Sequence, residues 1–232
     1  AIVATHPDYA EAKRLLAGTR LALGDAAGAE ILLREALVLE PAWTPTLATL
    51  GELLLGSGRG REAELLLQRA ATGTPPFPRA ALVLARHYND TQRPMQALEA
   101  VLPYCSSSKP DAELVTQHVA ALAALGRPAE AVTFYQRILN TSPDQAAAAH
   151  ALAIALNAAN QPVEAERRVR QAVAHGRPTA TLHYTLARSL IALGQFDGAE
   201  AALRDCLRLE PRLPDAHSQL ARLAWMRTGD LA

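Results

Sequence analysis

One alanine returns at a fixed interval of 34 residues along this chain, and that regularity restricts the fold more than any other feature. The interval holds without an insertion across six occurrences, which are Ala29, Ala63, Ala97, Ala131, Ala165 and Ala199. Around each alanine, apolar residues recur at spacings of three and four, which is the pattern of amphipathic helices. A period of this length predicts a stack of two-helix units that pack against their neighbours, in place of one globular core.

Glycine and proline mark the ends of the predicted helices with the same period. One position, which is suited to the left-handed end of a first helix (helix A), holds Gly24, Gly58, Gly126 and Gly194. Two positions later, prolines suit the first turn of a second helix (helix B), and these are Pro94, Pro128 and Pro162. A further series of prolines predicts where helix B ends, at Pro7, Pro41, Pro75, Pro143 and Pro211. The predicted units are 10–43, 44–77, 78–111, 112–145, 146–179 and 180–213, with the tail of a helix B at 1–9 and a lone helix A at 214–232.

These positions resemble the tetratricopeptide repeat (TPR) family, whose pattern has a large apolar residue at position 7 of each unit and a small one at position 8. Position 7 holds Leu16, Leu50, Leu84, Leu152, Leu186 and Leu220. Position 8 holds Ala17, Gly51, Ala85, Ala153, Ala187 and Ala221. The resemblance covers essentially the whole chain and implies an all-α fold, an α-solenoid that forms a right-handed superhelix of antiparallel helix pairs. It implies six repeats plus a terminal half repeat in one TPR domain, and we expect a bacterial source.

Two units depart from the pattern. In the third unit, Pro103 falls inside the predicted helix B, where proline removes a hydrogen bond and kinks or ends the helix. Two interpretations stay open: a shortened helix B with a longer loop, or a hinge in the superhelix near residue 103. In the fourth unit, His118 and Val119 replace the leucine and the small residue, so we expect looser packing there.

Composition argues against two classes of partner. The chain has 23 basic and 23 acidic side chains. This balance disfavours nucleic acid as a partner, because proteins that bind nucleic acid carry an excess of basic side chains. No apolar run is long enough to span a bilayer and no segment resembles a signal peptide, so we expect no membrane association and favour the cytoplasm. Cys105 and Cys206 lie three units apart, beyond disulfide reach, and are expected to be small apolar residues that are buried or half-buried.

No catalytic or metal-binding set emerges from the pattern. His6 and Asp8 match half of an iron-binding arrangement, but Pro7 between them already has a role at a helix end. His183 and His217 occupy equivalent places on adjacent A helices without a third ligand, which predicts a partly buried, hydrogen-bonded pair. The glycine-rich segment 56–60 lacks the features of a phosphate-binding loop and is predicted to be a turn. We therefore expect no enzyme activity, metal or cofactor within this segment.

By the family resemblance, the A helices line a concave groove, and positions 2, 5, 6, 9, 12 and 13 of each unit face a ligand. We call these the inner positions. The residues predicted to line a peptide-binding groove are Arg79, Arg86, Asn89, His150, Asn157, Tyr184, Arg188, Gln219, Arg222 and Trp225. Arg188 and Arg222 lie one unit apart beside Tyr184 and Trp225, a set suited to a carboxylate and an apolar side chain. The alternative is that these are ordinary solvated residues whose guanidinium groups pair with neighbouring carboxylates.

One known ligand of the family is the C-terminal carboxylate of chaperone tails, but the residues of that clamp are incomplete here. Gly18 and Thr49 stand where the clamp needs asparagine, and Val83 stands where it needs arginine. We therefore expect a scaffold that binds a different protein, as an extended peptide or a partner helix. The alternative is the recruiting segment of a larger bacterial enzyme, of transferase or 2-oxoglutarate oxygenase type, whose catalytic domain lies outside this chain. Self-association through the uncapped last helix, with Leu220, Leu223, Ala224 and Trp225, is a third hypothesis.

Overall fold

In the computed structural model, the described residues are 9–105, 111–141, 146–175 and 178–228. They form thirteen α-helices and contain no strand. In chain order the helices are α1 (Ala10–Ala22), α2 (Ala26–Leu39), α3 (Thr44–Gly56), α4 (Gly60–Thr72), α5 (Pro78–Asp90), α6 (Pro94–Cys105), α7 (Ala112–Ala124), α8 (Pro128–Thr141), α9 (Ala146–Ala158), α10 (Pro162–His175), α11 (Ala180–Ala192), α12 (Phe196–Leu209) and α13 (Pro214–Thr228). The chain is an all-α solenoid of helical repeats, as the sequence predicts.

The helices repeat with the period of the sequence. The odd-numbered helices are the A helices and begin at residues 10, 44, 78, 112, 146, 180 and 214, at intervals of 34. The even-numbered helices are the B helices and begin at residues 26, 60, 94, 128, 162 and 196, at the same interval. Pro94, Pro128 and Pro162 each open a B helix, where the absent amide hydrogen leaves no bond unmade.

The turn between helices A and B has one geometry in all six repeats. The four predicted glycines adopt left-handed φ values of 70° to 81°. In the remaining two repeats the same place holds Gln92, with φ 57°, and Asn160, with φ 58°. A left-handed conformation costs little for glycine and more for a residue with a Cβ atom. In these two repeats the residue at the turn therefore adopts a backbone conformation that its Cβ atom disfavours.

Small residues allow the A and B helices of a repeat to approach closely. The six recurring alanines are all fully buried. On the facing A helix, a Cβ atom added to Gly51 would lie 2.5 Å from a side-chain carbon of Leu67. Packing at this density leaves no room for a larger group, so the small residues are required by the close approach.

The chain divides into two compact units, residues 1–100 (unit 1) and 101–232 (unit 2). In unit 1, α1 packs on α2, α2 on α3, α3 on α4 and α4 on α5. In unit 2 each helix from α7 to α12 packs on the helix that follows it. The A helix α9 also contacts the A helices on either side of it, α7 and α11. Helix α6 crosses the boundary and ends two residues after Pro103. Because residues 106–110 lie outside the described part of the chain, the shortened helix and the hinge both stay predictions.

The fourth repeat is packed differently from the others. Helices α7 and α8 approach each other less closely than the pair α11 and α12 does, as His118 led us to expect. The space between them is filled by aromatic rings: a hydrogen bond of 2.9 Å joins His118 Nδ1 to the Tyr135 hydroxyl, and the ring of Phe134 lies 5.1 Å from that of His118. Burial lowers the pKa of His118 to about 4, so the imidazole is neutral in the folded protein.

Both cysteines are buried and free, as predicted. Burial raises the pKa of the Cys105 thiol to about 11 and also raises that of Cys206, so neither sulfur is activated as a thiolate. Across the described ranges, no helix combines the length and the apolar composition that a membrane span requires.

Candidate partner-binding surface

Three of the residues predicted to line the groove lie on α5 in unit 1. Arg79 makes two hydrogen bonds to the Glu52 carboxylate, from Nε at 2.7 Å and from a terminal nitrogen at 3.0 Å. Arg86 is exposed and Asn89 is half-buried. The Arg79 cation is thus paired within the protein, which is the alternative that we gave for these arginines.

His150 differs from the expectation that it faces a ligand. It is only 6% exposed, and both of its ring nitrogens are engaged. Nε2 lies 3.0 Å from the Thr116 hydroxyl on α7, and Nδ1 lies 2.6 Å from the Thr185 hydroxyl on α11. Burial, together with the nearby Arg188 cation, lowers the pKa of His150 to about 4. His150 therefore joins three A helices in the interior of unit 2 and does not present its ring to solvent.

Asn157 makes a second contact between A helices. Its amide nitrogen donates a hydrogen bond of 3.0 Å to the Ser189 hydroxyl, which donates to the Thr185 carbonyl at 3.1 Å. The side chain is half-buried, and its Oδ1 atom has no hydrogen-bond partner among the described residues. Asn157 and His150 thus hold α9 against α11 from two points.

Tyr184 and Gln219 are brought together by α11 and α13. The Gln219 side chain lies close enough to the Tyr184 hydroxyl to act on its pKa, and both side chains are half-buried. Burial, with a smaller contribution from the Asp215 carboxylate, raises the pKa of Tyr184. The phenol is therefore neutral and held in place, with part of its ring exposed.

Arg188 and Arg222 are the exposed cations of this part of the surface. Among the described residues, no carboxylate lies within ion-pair distance, 4.0 Å, of either guanidinium. Trp225, which follows Arg222 by one helical turn on α13, is 50% exposed, and the neighbouring Met226 is 51% exposed. Both cations are therefore without an ion pair among the described residues, and an exposed indole lies on the same helix as Arg222.

Sequence reasoning singled out polar and aromatic groups and missed the apolar part of the same surface. On α7 and α9 the inner positions are occupied mainly by small apolar side chains that are exposed or half-buried, namely Ala120, Ala123, Ala124, Ala147, Ile154 and Ala158. The signal was present in the sequence, since these positions follow from the period. Alanine carries no chemistry of its own, so the pattern alone does not mark these positions as a binding site.

The expected histidine pair is not formed as predicted. His183 is largely buried, and its Nδ1 lies 3.9 Å from the Asp205 carboxylate, too far for a hydrogen bond. His217 is exposed, and its Nε2 bonds to the Pro211 carbonyl at 2.9 Å. No group of three metal-ligating side chains is present in the part of the chain that the structure describes. His6 and Asp8 lie outside the described residues.

Family models for the tetratricopeptide repeat match two overlapping parts of the chain, residues 122–188 and residues 180–223. The chain is a tetratricopeptide repeat protein. Repeats of this family form scaffolds for protein–protein interaction and as a rule are not catalytic, so the general function of this TPR protein is to bind other proteins. A search of curated proteins found no match.

Solved structures resemble this TPR protein over most of its length. A tetratricopeptide repeat protein from Parabacteroides merdae is 14% identical, with a TM-score of 0.66 over 95% of this chain and 87% of that one. PilF of Pseudomonas aeruginosa is 17% identical, with a TM-score of 0.55 over 92% and 97%. PilW, described as a widely conserved type IV pilus biogenesis factor, is 16% identical, with a TM-score of 0.55 over 91% and 98%. At these identities the likeness shows the fold alone.

Proposed function

We propose that this TPR protein binds a peptide or a helix of a partner protein along the inner positions of unit 2, in the groove expected for the family. The observation that carries the proposal is the pair of exposed arginines, Arg188 and Arg222, neither of which has a carboxylate partner among the described residues. Arginine binds carboxylates with two parallel hydrogen bonds, and an unpaired guanidinium is free to do so. Trp225 and Tyr184 supply apolar surface beside the cations, and aromatic residues beside arginine are enriched at the centres of protein interfaces.

The rigidity of this surface supports the same proposal. The A helices α7, α9 and α11 of unit 2 are joined side by side through the hydrogen bonds of His150 and Asn157. A surface whose side chains are already ordered loses less conformational entropy when a ligand binds. These buried contacts therefore favour binding to a preformed site.

The test is affinity capture from a lysate of the source organism, with quantitative mass spectrometry of the captured proteins. The wild-type protein is compared with the double variant Arg188→Glu/Arg222→Glu. The matched control is Arg61→Glu/Arg212→Glu, which changes the charge equally at two exposed arginines that have no ion pair among the described residues. We expect the specific prey to be lost from the first variant and kept by the control. Equal capture by all three proteins would overturn the proposal.

A second proposal is self-association through α13. The small residue at position 8 is buried in each earlier repeat that has one, but its counterpart Ala221 is exposed, and Trp225 and Met226 are half exposed beside it. Exposed apolar groups on a helix are suited to contact with a second copy. Light scattering over a range of concentrations tests this: we expect the mass to rise towards a dimer, and Ala221→Glu to prevent the rise. Ala201→Glu, at an exposed alanine of α12, is the control, and a monomer at every concentration would exclude the proposal.

A further inference from the structure

The inner positions of unit 2 are chemically divided along the stack of A helices. On α7 and α9 most of the exposed or half-buried inner residues are alanine or isoleucine, beside Glu113, Thr116, Gln117 and Asn157. On α11 and α13 the inner positions include the two unpaired arginines. We call these the apolar half (Ala120, Ala123, Ala124, Ala147, Ile154 and Ala158) and the cationic half (Arg188 and Arg222, with Trp225). The two halves are continuous, because α9 packs directly on α11.

The apolar half is suited to close contact with another chain. No inner position of α9 carries a charged side chain, and the one charged inner residue of α7, Glu113, lies in its first turn. A side chain of one carbon lets a partner approach the helix backbone closely. Burial of this apolar area against a partner favours such a complex.

The cationic half is suited to carboxylates. Arg188 and Arg222 occupy position 9 of adjacent repeats, on the A helices α11 and α13 that both pack on α12. The nearest acidic group on these two helices is the exposed Asp215, which lies close enough to influence Tyr184 but does not form an ion pair with either arginine. Two cations and one carboxylate leave a net positive charge beside an exposed indole.

We infer that the partner segment has two parts, an apolar stretch that lies on α7 and α9 and a stretch bearing Asp or Glu that lies on α11 and α13. This inference rests on the proposed function and adds the chemistry of the ligand to it. We infer Asp or Glu in the partner segment because a negative charge is complementary to Arg188 and Arg222. We infer the apolar stretch because the inner positions of α9 carry no charge. The A helices α7, α9 and α11, which pack in turn, span about 16–20 Å, which an extended segment of about six residues covers, and further residues would reach α13.

Selection of peptides against the whole protein tests the inference without knowledge of the natural partner. A phage library of random dodecapeptides is enriched on the wild-type protein, and the enriched sequences are aligned. We expect acidic residues at one end and Ala, Val, Leu or Ile at the other. Enrichment on Arg188→Glu/Arg222→Glu should replace the acidic residues with Lys or Arg. Enrichment on Ala120→Glu/Ala158→Glu should remove the apolar stretch, and Arg61→Glu/Arg212→Glu should leave the sequences unchanged.

Affinity measurements separate this inference from the proposed function. For one enriched peptide, labelled for fluorescence anisotropy, we expect Arg188→Glu/Arg222→Glu to weaken binding by about tenfold or more. Circular dichroism verifies that each variant is folded. If Ala120→Glu/Ala158→Glu weakens binding but the peptides show no acidic preference, the two-part ligand is wrong and the proposed function stands. If neither double variant changes the enriched sequences or their affinity, both are wrong.

Discussion

Single residues at the helix seam decide how closely the two helices of a repeat approach. Ala131 is fully buried between α7 and α8, whereas Ala129, two residues earlier on the same helix, is exposed. The two alanines have the same helix propensity, so they differ in packing alone. The fourth repeat already accommodates His118, Phe134 and Tyr135, which leaves little space for another large group.

We predict that Ala131→Leu destabilises the protein by about 1–3 kcal/mol, because three added carbons must displace packed neighbours. Ala129→Leu is the control and should change stability by less than about 0.5 kcal/mol. Urea unfolding followed by circular dichroism measures both. Equal midpoints for the two variants would show that the seam is not where the structure places it.

The buried histidines make stability depend on pH. The pKa of both His118 and His150 is lowered to about 4 in the folded protein, first of all by burial, against an ordinary value of 6.5. Above pH 6.5 both histidines are neutral in the folded and the unfolded state. As the pH falls from 6.5 towards 4, the unfolded chain binds protons that the folded protein does not, so the free energy of unfolding decreases.

The expected loss is at most about 3 kcal/mol for each histidine between pH 6.5 and 4. Urea unfolding at pH 7.0, 6.0 and 5.0 measures it before the carboxylates titrate. His118→Gln and His150→Gln should each make the pH dependence shallower, whatever they do to the stability at pH 7. A wild-type unfolding free energy that is constant over this range would contradict the assignment of both side chains to the interior.

At the scale of the element, the turn between helices A and B is the most regular feature of the repeat. Four repeats place glycine at its left-handed residue, and two place Gln92 and Asn160 there. Asparagine tolerates this conformation better than glutamine, because its short side chain can bond to the local backbone. The helices on either side are positioned by the seam, so the turn keeps its geometry even where the residue is unfavourable.

We predict that Gln92→Gly stabilises the protein by about 1 kcal/mol, since glycine relieves the left-handed strain. Asn160→Gly should stabilise it less. Gln96→Gly, at an exposed position inside α6, should instead destabilise it by about 1 kcal/mol, because glycine weakens a helix interior. Thermal unfolding of the three variants gives the order, and a destabilised Gln92→Gly would show that the turn is not strained.

At the scale of the whole molecule, the period of the sequence predicts the helices but not the state of each inner residue. The recurring alanines, the turn glycines and the opening prolines depend on contacts inside one repeat, so the pattern of one repeat reveals them. The burial of His150 depends on Thr116 and Thr185, which belong to the two neighbouring repeats. Whether an arginine is paired likewise depends on a neighbour: Arg79 meets Glu52 from the previous repeat, while Arg188 meets no such carboxylate.

A stack in which each repeat packs on its neighbours should confine local damage. In unit 2, α8 packs against α7 and α9, whereas α12 packs against α11 and α13. Stability in such stacks is a sum of repeat and nearest-neighbour contributions. We therefore predict that Ala131→Leu accelerates amide hydrogen exchange in α7, α8 and α9 and leaves α12 and α13 unchanged, as measured by mass spectrometry of peptides from the native protein. Ala129→Leu should change neither region. An equal acceleration from α7 to α13 would mean that unit 2 unfolds as one cooperative block, in which a misfit at one seam is shared by every repeat.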